Sequence, residues 1–388
     1  MRAPHHTLHT PPFPARASVW DDGAGPVFAP LDGDATVDLC VIGLGGSGLN
    51  AVLEARAMGR SVIGLDATVT AGGAAGSNGG ILRAGLAKYH HEAIAAFGRE
   101  RAAALYHETA VEIDRIATET PDAVRRVGNL RIAADDVEWA DCVAEATALR
   151  ADGVEVQEHD TMWGRGIFIP HDAAVQPILR GRALAARAQA AGARLHEWTE
   201  ALAFSGTEVR TPRGRVRCAA VVVAVDGGLE RVVPALAGRV RTTRLQMLAA
   251  EPDSAVQIPC PVSSHYGFDY WQQLPDGRIA LGGGRNLAFD EEWDAPATPS
   301  DRVQAYLDEV LRTRIGSRGA VTHRWAARVA YSKSALPVLE EVEPNVWATG
   351  AYSGTGNLVG ALCGRAAARL ACGERSAFAD LLSASPAR

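Results

Sequence analysis

The sequence predicts an α/β protein (α+β overall), and three observations predict that class. First, a short apolar run at 37–42 leads into a glycine turn, an alanine-rich amphipathic segment and a second apolar run that ends on Asp66. Second, further glycine clusters follow at 71–80 and 350–356. Third, the β-branched run at 219–225 is typical of a buried strand. A strand, glycine turn, helix and strand in this order indicate a Rossmann-like nucleotide-binding domain.

The first glycine turn, residues 43–48, has the G-x-G-x-x-G spacing that cradles a pyrophosphate. Gly43 permits the sharp turn, Gly45 leaves room for the phosphates, and Gly48 lets the helix pack closely on the strands. The helix N-terminus adds free N–H groups and a positive dipole end. Asp66 is placed to accept hydrogen bonds from ribose hydroxyls. We therefore predict an ADP-binding site rather than a glycine-rich turn that binds nothing. Its predicted contacts are Gly43, Gly45, Gly46, Ser47, Gly48, Asp66 and Ala67.

Composition and charge limit the class of protein. A chain of 388 residues predicts two to three domains, and 47% apolar residues with a mean hydropathy of −0.03 are ordinary for a globular protein. The net charge of −6 argues against nucleic acid or an anionic membrane as the main partner. No apolar run approaches the roughly 18 residues of a membrane-spanning helix, so we expect no membrane insertion.

The N-terminus and the cysteines indicate the compartment. The N-terminus lacks the layout of a signal peptide, and the six scattered cysteines include no CxxC pair. We therefore expect no disulfide and no metal site, and a cytoplasmic protein. Residues 1–33 are predicted to form an arm over the surface, with His5, His6 and His9 solvated rather than bound to a metal.

Two later glycine turns distinguish between cofactors. In the second glycine turn, residues 76–80, small side chains let the backbone pass between a pyrophosphate and a flat isoalloxazine ring, although a flexible surface loop is the alternative. The third glycine turn, residues 350–357, precedes a helical run whose positive end would stabilise the pyrimidine side of a reduced flavin. Two distant turns that serve opposite ends of one long ligand favour FAD over NAD. Their predicted contacts are Gly76, Ser77, Asn78, Gly79, Gly80, Gly350, Gly354, Thr355, Gly356 and Asn357.

At this point the chain resembles the D-amino-acid-oxidase-like superfamily of FAD-dependent oxidoreductases, over about residues 34–373. The motifs that carry the resemblance are the nucleotide unit at 41–66, the second glycine turn, a hairpin at 209–216 with its following strand, the run at 277–283, and the third glycine turn. Within the superfamily the chain looks most like the gamma-glutamylputrescine oxidase subgroup, because Ser18-Val19-Trp20 precedes the first strand and Asn78-Gly79-Gly80 follows the second. That subgroup usually has arginine where Ser77 stands.

The resemblance implies a discontinuous layout of two domains after the N-terminal arm. An FAD-binding Rossmann-like domain would comprise residues 34–88, 165–230 and 326–388, with further cofactor contacts at Ala201 and Ala224. A substrate domain would comprise 89–164 and 231–325. It would carry an antiparallel sheet over the flavin, and a long helical stretch at 92–118 would begin it.

The resemblance also implies a reaction. Enzymes of this kind oxidise a C–N bond of a small amine: hydride leaves the α-carbon for flavin N5, the imine hydrolyses, and oxygen reoxidises the flavin with release of hydrogen peroxide. An amino-acid oxidase or dehydrogenase, or a noncatalytic FAD-binding subunit, remain open as alternatives. No cysteine lies between Cys260 and Cys363, so FAD should be noncovalent. Ala280 stands where sarcosine oxidase relatives have a lysine that activates oxygen, so another electron acceptor is conceivable.

The resemblance and the chemistry of the side chains suggest candidate catalytic residues. Tyr270 lies in a sheet that is expected to face the flavin; the alternative is that it is a core aromatic residue. His265 precedes this sheet and is a candidate to orient the substrate; the alternative is that it is a structural histidine. Arg285 and Arg328 are candidates to bind a substrate carboxylate. The alternative for each arginine is an ion pair at the surface or at the domain interface. Tyr331 and Lys333 precede a segment that passes near the ring in the family, and Lys333 would aid oxygen or the amine unless it is merely solvated. The sequence does not determine the oligomeric state.

Overall fold

The computed structural model of the protein describes residues 18–383. The predictions for His5, His6 and His9 lie outside this range. Within it, no helix is long and apolar enough to cross a membrane.

Strands and helices alternate in the manner that the sequence predicts. In chain order the strands are β1 (Ala35–Thr36), β2 (Leu39–Ile42), β3 (Val62–Leu65), β4 (Ile81–Leu82), β5 (Val124–Arg125), β6 (Asn129–Ile132), β7 (Gln157–Thr161), β8 (Gly164–Ile169), β9 (Ala173–Val175), β10 (Arg194–His196), β11 (Ala203–Ser205), β12 (Glu208–Thr211), β13 (Gly214–Arg217), β14 (Ala220–Val223), β15 (Val240–Ala250), β16 (Val262–Ser264), β17 (Asp269–Gln273), β18 (Ile279–Gly282), β19 (Val321–Ser332), β20 (Val338–Glu343) and β21 (Val346–Gly350). The helices are α1 (Gly46–Ala57), α2 (Ala74–Ser77), α3 (His90–Phe97), α4 (Arg99–Glu119), α5 (Asp136–Ala151), α6 (Pro177–Ala190), α7 (Leu229–Val232), α8 (Asp301–Thr313), α9 (Val359–Ala371) and α10 (Ala377–Ser383). Short 3-10 helices span Pro121–Ala123, Pro234–Leu236, His265–Gly267 and Arg285–Ala288.

A six-stranded sheet contains the strands of the nucleotide unit that the sequence predicts. Its order is β10-β3-β2-β14-β21-β20, and all neighbours are parallel except β20 and β21. Its central strands are buried on both faces because helices α1, α6 and α9 cover one face and a second apolar cluster covers the other. The carboxyl end of β2 meets α1 at the first glycine turn, at the sheet edge where ligands of such folds bind.

Helices α1 and α9 pack against each other at very short range. A methyl group on Gly364 would lie 2.8 Å from the carbonyl carbon of Ser47. The absence of a side chain at Gly364 therefore allows the backbones to touch. This contact fixes the N-terminus of α1 against the last part of the chain.

An eight-stranded, mostly antiparallel sheet forms the other half of the molecule. Its order is β19-β15-β18-β17-β16-β6-β8-β7, with only β16 and β6 parallel among neighbours. Side chains alternate between its two faces. Tyr270 and Gln272 of β17 lie on the face that meets the second glycine turn, which we call the inner face. Trp271 lies on the opposite, outer face, in the apolar cluster that includes Leu307 of α8.

The structure corrects one element and confirms others. The helical stretch predicted at 92–118 is two helices, α3 and α4, because Gly98 adopts a φ of +82° between them. The hairpin predicted at 209–216 is present as β12 and β13, which pair antiparallel.

Candidate functional site

The first glycine turn leads into the start of α1, which no side chain caps. Gly43 has a φ of +97°, and a side chain at Gly48 would run into the carbonyl oxygen of Gly43. Gly45 is the N-cap of α1 and no side chain caps the helix, so its first N–H groups have no side-chain acceptor. Uncapped N–H groups with a positive dipole end suit a phosphate.

Asp66 lies at the end of β3 beside this turn. Its Oδ2 accepts from the Leu44 N–H at 2.8 Å, and its Oδ1 accepts from the Thr68 N–H at 2.8 Å and hydroxyl at 2.9 Å. Burial raises the pKa of this carboxyl, while these donors act in the opposite direction. The side chain is thus held at the carboxyl edge of the sheet, where the sequence predicts the ribose.

Arg180 of α6 is a residue of this site that sequence reasoning missed. It is 5% exposed, and its Nη1 lies 3.4 Å from where a methyl group on Gly46 would be. It forms no ion pair with any residue in 18–383, and its Nε has no acceptor there. Burial lowers the pKa of Arg180 to about 10. Glu112, the carboxylate that most opposes this effect, is already paired with Arg365.

The second and third glycine turns meet directly although they are distant in sequence. The Asn357 Nδ2 donates to Asn78 Oδ1 at 3.1 Å and to the Ile81 carbonyl at 3.1 Å. The third turn also reaches the first, because the Tyr352 hydroxyl donates to Ser47 Oγ at 2.8 Å. The structure therefore brings all three predicted turns together around one region.

The other predicted cofactor residues occupy several places around the turns. Ala224 directly follows β14 and lies against Gly43, Gly350 ends β21, and Ala67 is exposed beside Asp66. Ala201 is buried in the apolar cluster beneath the sheet. Helix α9 begins at Val359, after the third turn, as the sequence predicts.

Tyr270 lies on the inner face against the second turn. A methyl group on Gly79 would come within 2.6 Å of its ring, and one on Gly282 within 2.5 Å, so both glycines are needed to admit the ring. Burial raises the pKa of Tyr270 well above its usual range. Its hydroxyl is therefore neutral at physiological pH and acts as a hydrogen-bond group rather than as a base.

Arg285 and Tyr331 lie together near the third turn. The Arg285 guanidinium is 4.5–4.6 Å from the ring centres of Phe289, Trp293 and Tyr331. The Tyr331 hydroxyl lies 3.6 Å from where a methyl group on Gly354 would be. Arg285 is 6% exposed and forms no ion pair within the described chain. Its burial lowers the pKa, and the one acid that opposes this, Glu292, is bound to Arg244.

Three predicted catalytic residues are not brought to this surface. His265 lies at the outer face, where its Nδ1 is 2.9 Å from Asp269 Oδ2, and this bond raises the pKa of His265. Arg328 lies three residues before Tyr331 in β19, so the two side chains are on opposite faces of the strand. The Arg328 Nη2 lies 3.2 Å from where a methyl group on Gly228 would be. Lys333 is exposed just beyond β19. The position of Arg328 follows from the period of two in a strand, which makes it point away from the face that carries Tyr331.

The residues present fit FAD by chemistry. Uncapped helix N–H groups and an unpaired guanidinium suit a pyrophosphate, and Asp66 suits ribose hydroxyls. The glycine backbone of the second turn leaves room for a flat ring beside the inner face.

Comparison with protein families agrees with this fit. The family model DAO, described as FAD dependent oxidoreductase, matches residues 38–370. The probable oxidoreductase OrdL of Rhizobium meliloti (strain 1021) is 25% identical, over 92% of this chain and 88% of its own. Gamma-glutamylputrescine oxidoreductase of Escherichia coli (strain K12) is 25% identical, over 90% of this chain and 87% of its own.

Solved structures share the fold. The crystal structure of glycine oxidase from Geobacillus kaustophilus superposes with a TM-score of 0.72 and 19% sequence identity. The superposition covers 91% of this chain and 99% of that chain.

Proposed function

The chain belongs to the DAO family of FAD-dependent oxidoreductases, and on that premise we propose that it oxidises the C–N bond of a small amine. The observation that carries the proposal is the convergence of the three glycine turns beside an inner face that presents Tyr270, Tyr331 and Arg285. The relatives named above support the substrate class, because one is named as acting on gamma-glutamylputrescine and another as oxidising glycine.

The chain's own residues bind and orient rather than supply a strong base. FAD, when bound, would supply the acceptor for a hydride, two electrons and one proton, from the carbon of the C–N bond; the nitrogen loses its proton, and water hydrolyses the imine that is left. Tyr270 and Tyr331 carry neutral hydroxyls, because burial raises the pKa of both. A partly desolvated site lowers the pKa of a bound amine, so the reactive free amine can form without a protein base of matching strength.

Arg285 favours a second candidate, an amine that carries a carboxylate, with an amino acid as the simplest case. An unpaired guanidinium beside a tyrosine is a bidentate site for a carboxylate. The cage of three aromatic rings holds the guanidinium in one place, so a carboxylate bound there would fix the orientation of the rest of the substrate.

We further propose that oxygen reoxidises a noncovalently bound FAD and that the protein is cytoplasmic. The absence of any cysteine between Cys260 and Cys363 supports noncovalent binding. The six cysteines are all unbridged, which is usual in a reducing compartment.

The test is anaerobic mixing of the purified holoprotein with matched pairs of substrates, followed by the loss of the flavin absorption band. Each pair joins an amino acid to the amine left when its carboxylate is removed, such as proline with pyrrolidine and sarcosine with dimethylamine. Gamma-glutamylputrescine is included as an amine with a remote carboxylate. We expect bleaching by at least one amine, and faster bleaching by the carboxylate-bearing member of a pair.

A different result would overturn the proposal. If dithionite bleaches the flavin while no member of a broad amine and amino-acid panel does, the protein is a noncatalytic FAD-binding subunit. Admission of air after bleaching then tests the electron acceptor, because reoxidation by oxygen should release one hydrogen peroxide per flavin.

A further inference from the structure

The N-terminal Ser18-Val19-Trp20 motif contacts the second glycine turn. Trp20 is 2% exposed, and its indole Nε1 donates to the Asn78 carbonyl at 2.9 Å. A methyl group on Gly80 would lie 3.4 Å from the edge of the same indole. A residue far upstream of the nucleotide unit is thus part of the wall around the turn.

Two more side chains hold the neighbouring carbonyls of this turn. The Trp325 Nε1 donates to the Ser77 carbonyl at 2.8 Å. The Gln272 Nε2 donates to the carbonyls of Gly79 at 2.6 Å and Gly80 at 2.8 Å. Four successive carbonyls, residues 77–80, therefore each accept a hydrogen bond from a side chain of a distant segment.

These bonds determine where the N–H groups of the turn point. In a trans peptide the carbonyl and the N–H project in opposite directions. Because the Asn78 carbonyl points at Trp20, the Gly79 N–H points away from that indole. Within residues 18–383 the Gly79 N–H has no acceptor. A donor that is fixed in direction and lacks an internal acceptor is suited to a ligand.

The segment that carries Trp20 is itself anchored to α6. The Gln176 Nε2 donates to the Trp20 carbonyl at 2.9 Å. Asp21 and Asp22 then form ion pairs with Arg182 at 2.5 and 2.6 Å. The position of Trp20 is therefore fixed by the bond to its carbonyl and by the ion pairs of the two residues that follow it.

We propose that Trp20 is a positioning residue for the flavin: with Trp325 it orients the second glycine turn so that the Gly79 N–H donates to bound FAD. This rests on FAD binding, which the family establishes, and not on the amine substrate. A donor to the isoalloxazine affects its oxidised and reduced forms unequally, so losing its orientation changes both the affinity and the reduction potential.

The test compares Trp20→Phe with Trp163→Phe, without any substrate. Phenylalanine keeps an aromatic ring at position 20 but removes the indole donor. Trp163 is a matched control, because its Nε1 is buried and has no acceptor among the described residues. For Trp20→Phe we expect the FAD dissociation constant of the apoprotein to rise about tenfold, with a shifted visible band and a shifted reduction potential. Trp325→Phe should change the same quantities, and Trp163→Phe should change none.

Two results would overturn the proposal. One is an FAD dissociation constant and potential for Trp20→Phe equal to those of Trp163→Phe. The other is weaker FAD binding with an unchanged spectrum and potential and a lower thermal midpoint of the apoprotein, which would show a packing role alone. Neither result bears on which amine is oxidised, so the substrate proposal stands or falls separately.

Discussion

At the scale of single residues, two buried arginines, Arg180 and Arg285, lie beside the first and third glycine turns of the site. Each is less than a tenth exposed, and neither forms an ion pair with a residue in 18–383. A buried, unpaired guanidinium is costly unless an anion reaches it. The positions of the two groups, at the first and third glycine turns, match the two anions of the proposed reaction: the pyrophosphate of FAD and the carboxylate of a substrate.

Removal of Arg180 should weaken FAD binding. In Arg180→Ala we expect the FAD dissociation constant to rise by about 10–100-fold, because a charge-assisted bond to a phosphate is lost. Arg187→Ala is the control, since Arg187 lies on the same helix but pairs with Glu119 at the surface. Titration of apoprotein with FAD gives the constants. Equal affinities in the two variants would contradict the assignment.

Replacement of Arg285 should separate the two candidate substrate classes. Lysine keeps the charge but not the bidentate fork, so Arg285→Lys should raise KM for a carboxylate-bearing substrate by about tenfold or more. KM for the matched amine without a carboxylate should be nearly unchanged. Steady-state rates with both members of a pair give this comparison. A similar rise in both KM values would assign Arg285 to the shape of the cavity rather than to carboxylate binding.

Asp172 should make the stability of the fold depend on pH. It is fully buried, its Oδ1 accepts from the Ala84 N–H, and its Oδ2 has no donor within the described chain. Burial raises the pKa of Asp172 to about 7. Since an unfolded aspartate has a pKa near 3.9, the folded state retains a proton that the unfolded state releases between about pH 4 and pH 7. The free energy of unfolding should therefore fall across that window as pH rises, by up to about 1.4 kcal/mol per pH unit.

Asp172→Asn tests this dependence. The amide cannot ionise, and it can still accept from Ala84, so the variant should lose this part of the pH dependence. At pH 8 it should be more stable than the parent by roughly 2–4 kcal/mol. Urea unfolding of both proteins at pH 5 and pH 8 measures the difference. If the two proteins lose the same stability between these pH values, Asp172 is ionised in the fold.

At the scale of elements, the contact of α1 with α9 positions the N-terminal end of α1, where we propose that the pyrophosphate binds. The Gly364 backbone lies against the Ser47 carbonyl, and the Tyr352 hydroxyl binds the Ser47 side chain. The start of α1 is thereby tied to both α9 and the third glycine turn. Two segments that are separated by most of the chain set the position of one helix end.

Gly364→Ala should force these helices apart. The added methyl group would lie 2.8 Å from the Ser47 carbonyl carbon, and overpacking of this kind costs about 1–3 kcal/mol. We expect a lower urea midpoint and weaker FAD binding, because the end of α1 moves. Gly98→Ala is the control: it has a φ of +82° but no atom within 4 Å of the added methyl group. It should cost about 1 kcal/mol and leave FAD binding intact. Unchanged FAD affinity in Gly364→Ala would show that the contact does not position α1.

At the scale of the whole molecule, FAD is expected to link segments that are distant in the chain. The three glycine turns come from residues 43–48, 76–80 and 350–357, and the inner face comes from the other sheet. We propose the two-domain division predicted from the sequence, in which FAD lies along the nucleotide-binding half and the eight-stranded sheet covers its ring. The long strand β19 crosses the proposed boundary near residue 326, so the two halves share a continuous strand.

FAD should therefore stabilise the molecule more than a fragment of FAD does. At a concentration 100-fold above its dissociation constant, FAD should raise the free energy of unfolding by about 2.7 kcal/mol. At the same concentration ADP should stabilise less, because it reaches the first turn alone. Thermal unfolding of the apoprotein with each ligand measures this. An equal shift with ADP and FAD would contradict contacts beyond the first turn.

The sequence by itself determined the nucleotide unit and the order of its elements. The glycine spacing, the period of the apolar residues and the position of Asp66 depend only on residues that are near in sequence. They can therefore be recognised before the fold is known. They also predicted the second and third turns, whose meeting the Asn78–Asn357 bonds confirm. The sequence could not show that Gly98 breaks a helix that is otherwise periodic, because glycine is tolerated within helices and only its φ decides the outcome.

The tertiary structure alone decided which polar side chains face the site. Arg285 and Arg328 are the same residue type, yet the 3-10 helix after β18 places Arg285 beside Tyr331, whereas alternation along β19 turns Arg328 to the opposite face. Arg180 belongs to no motif, and the motif that contains Trp20 indicates a subgroup but not a contact. Only the packing of α6 and of the N-terminal segment brings the two side chains to the turns. The physical reason is that a short pattern encodes backbone conformation, whereas the partner of a side chain depends on contacts between segments far apart in the chain.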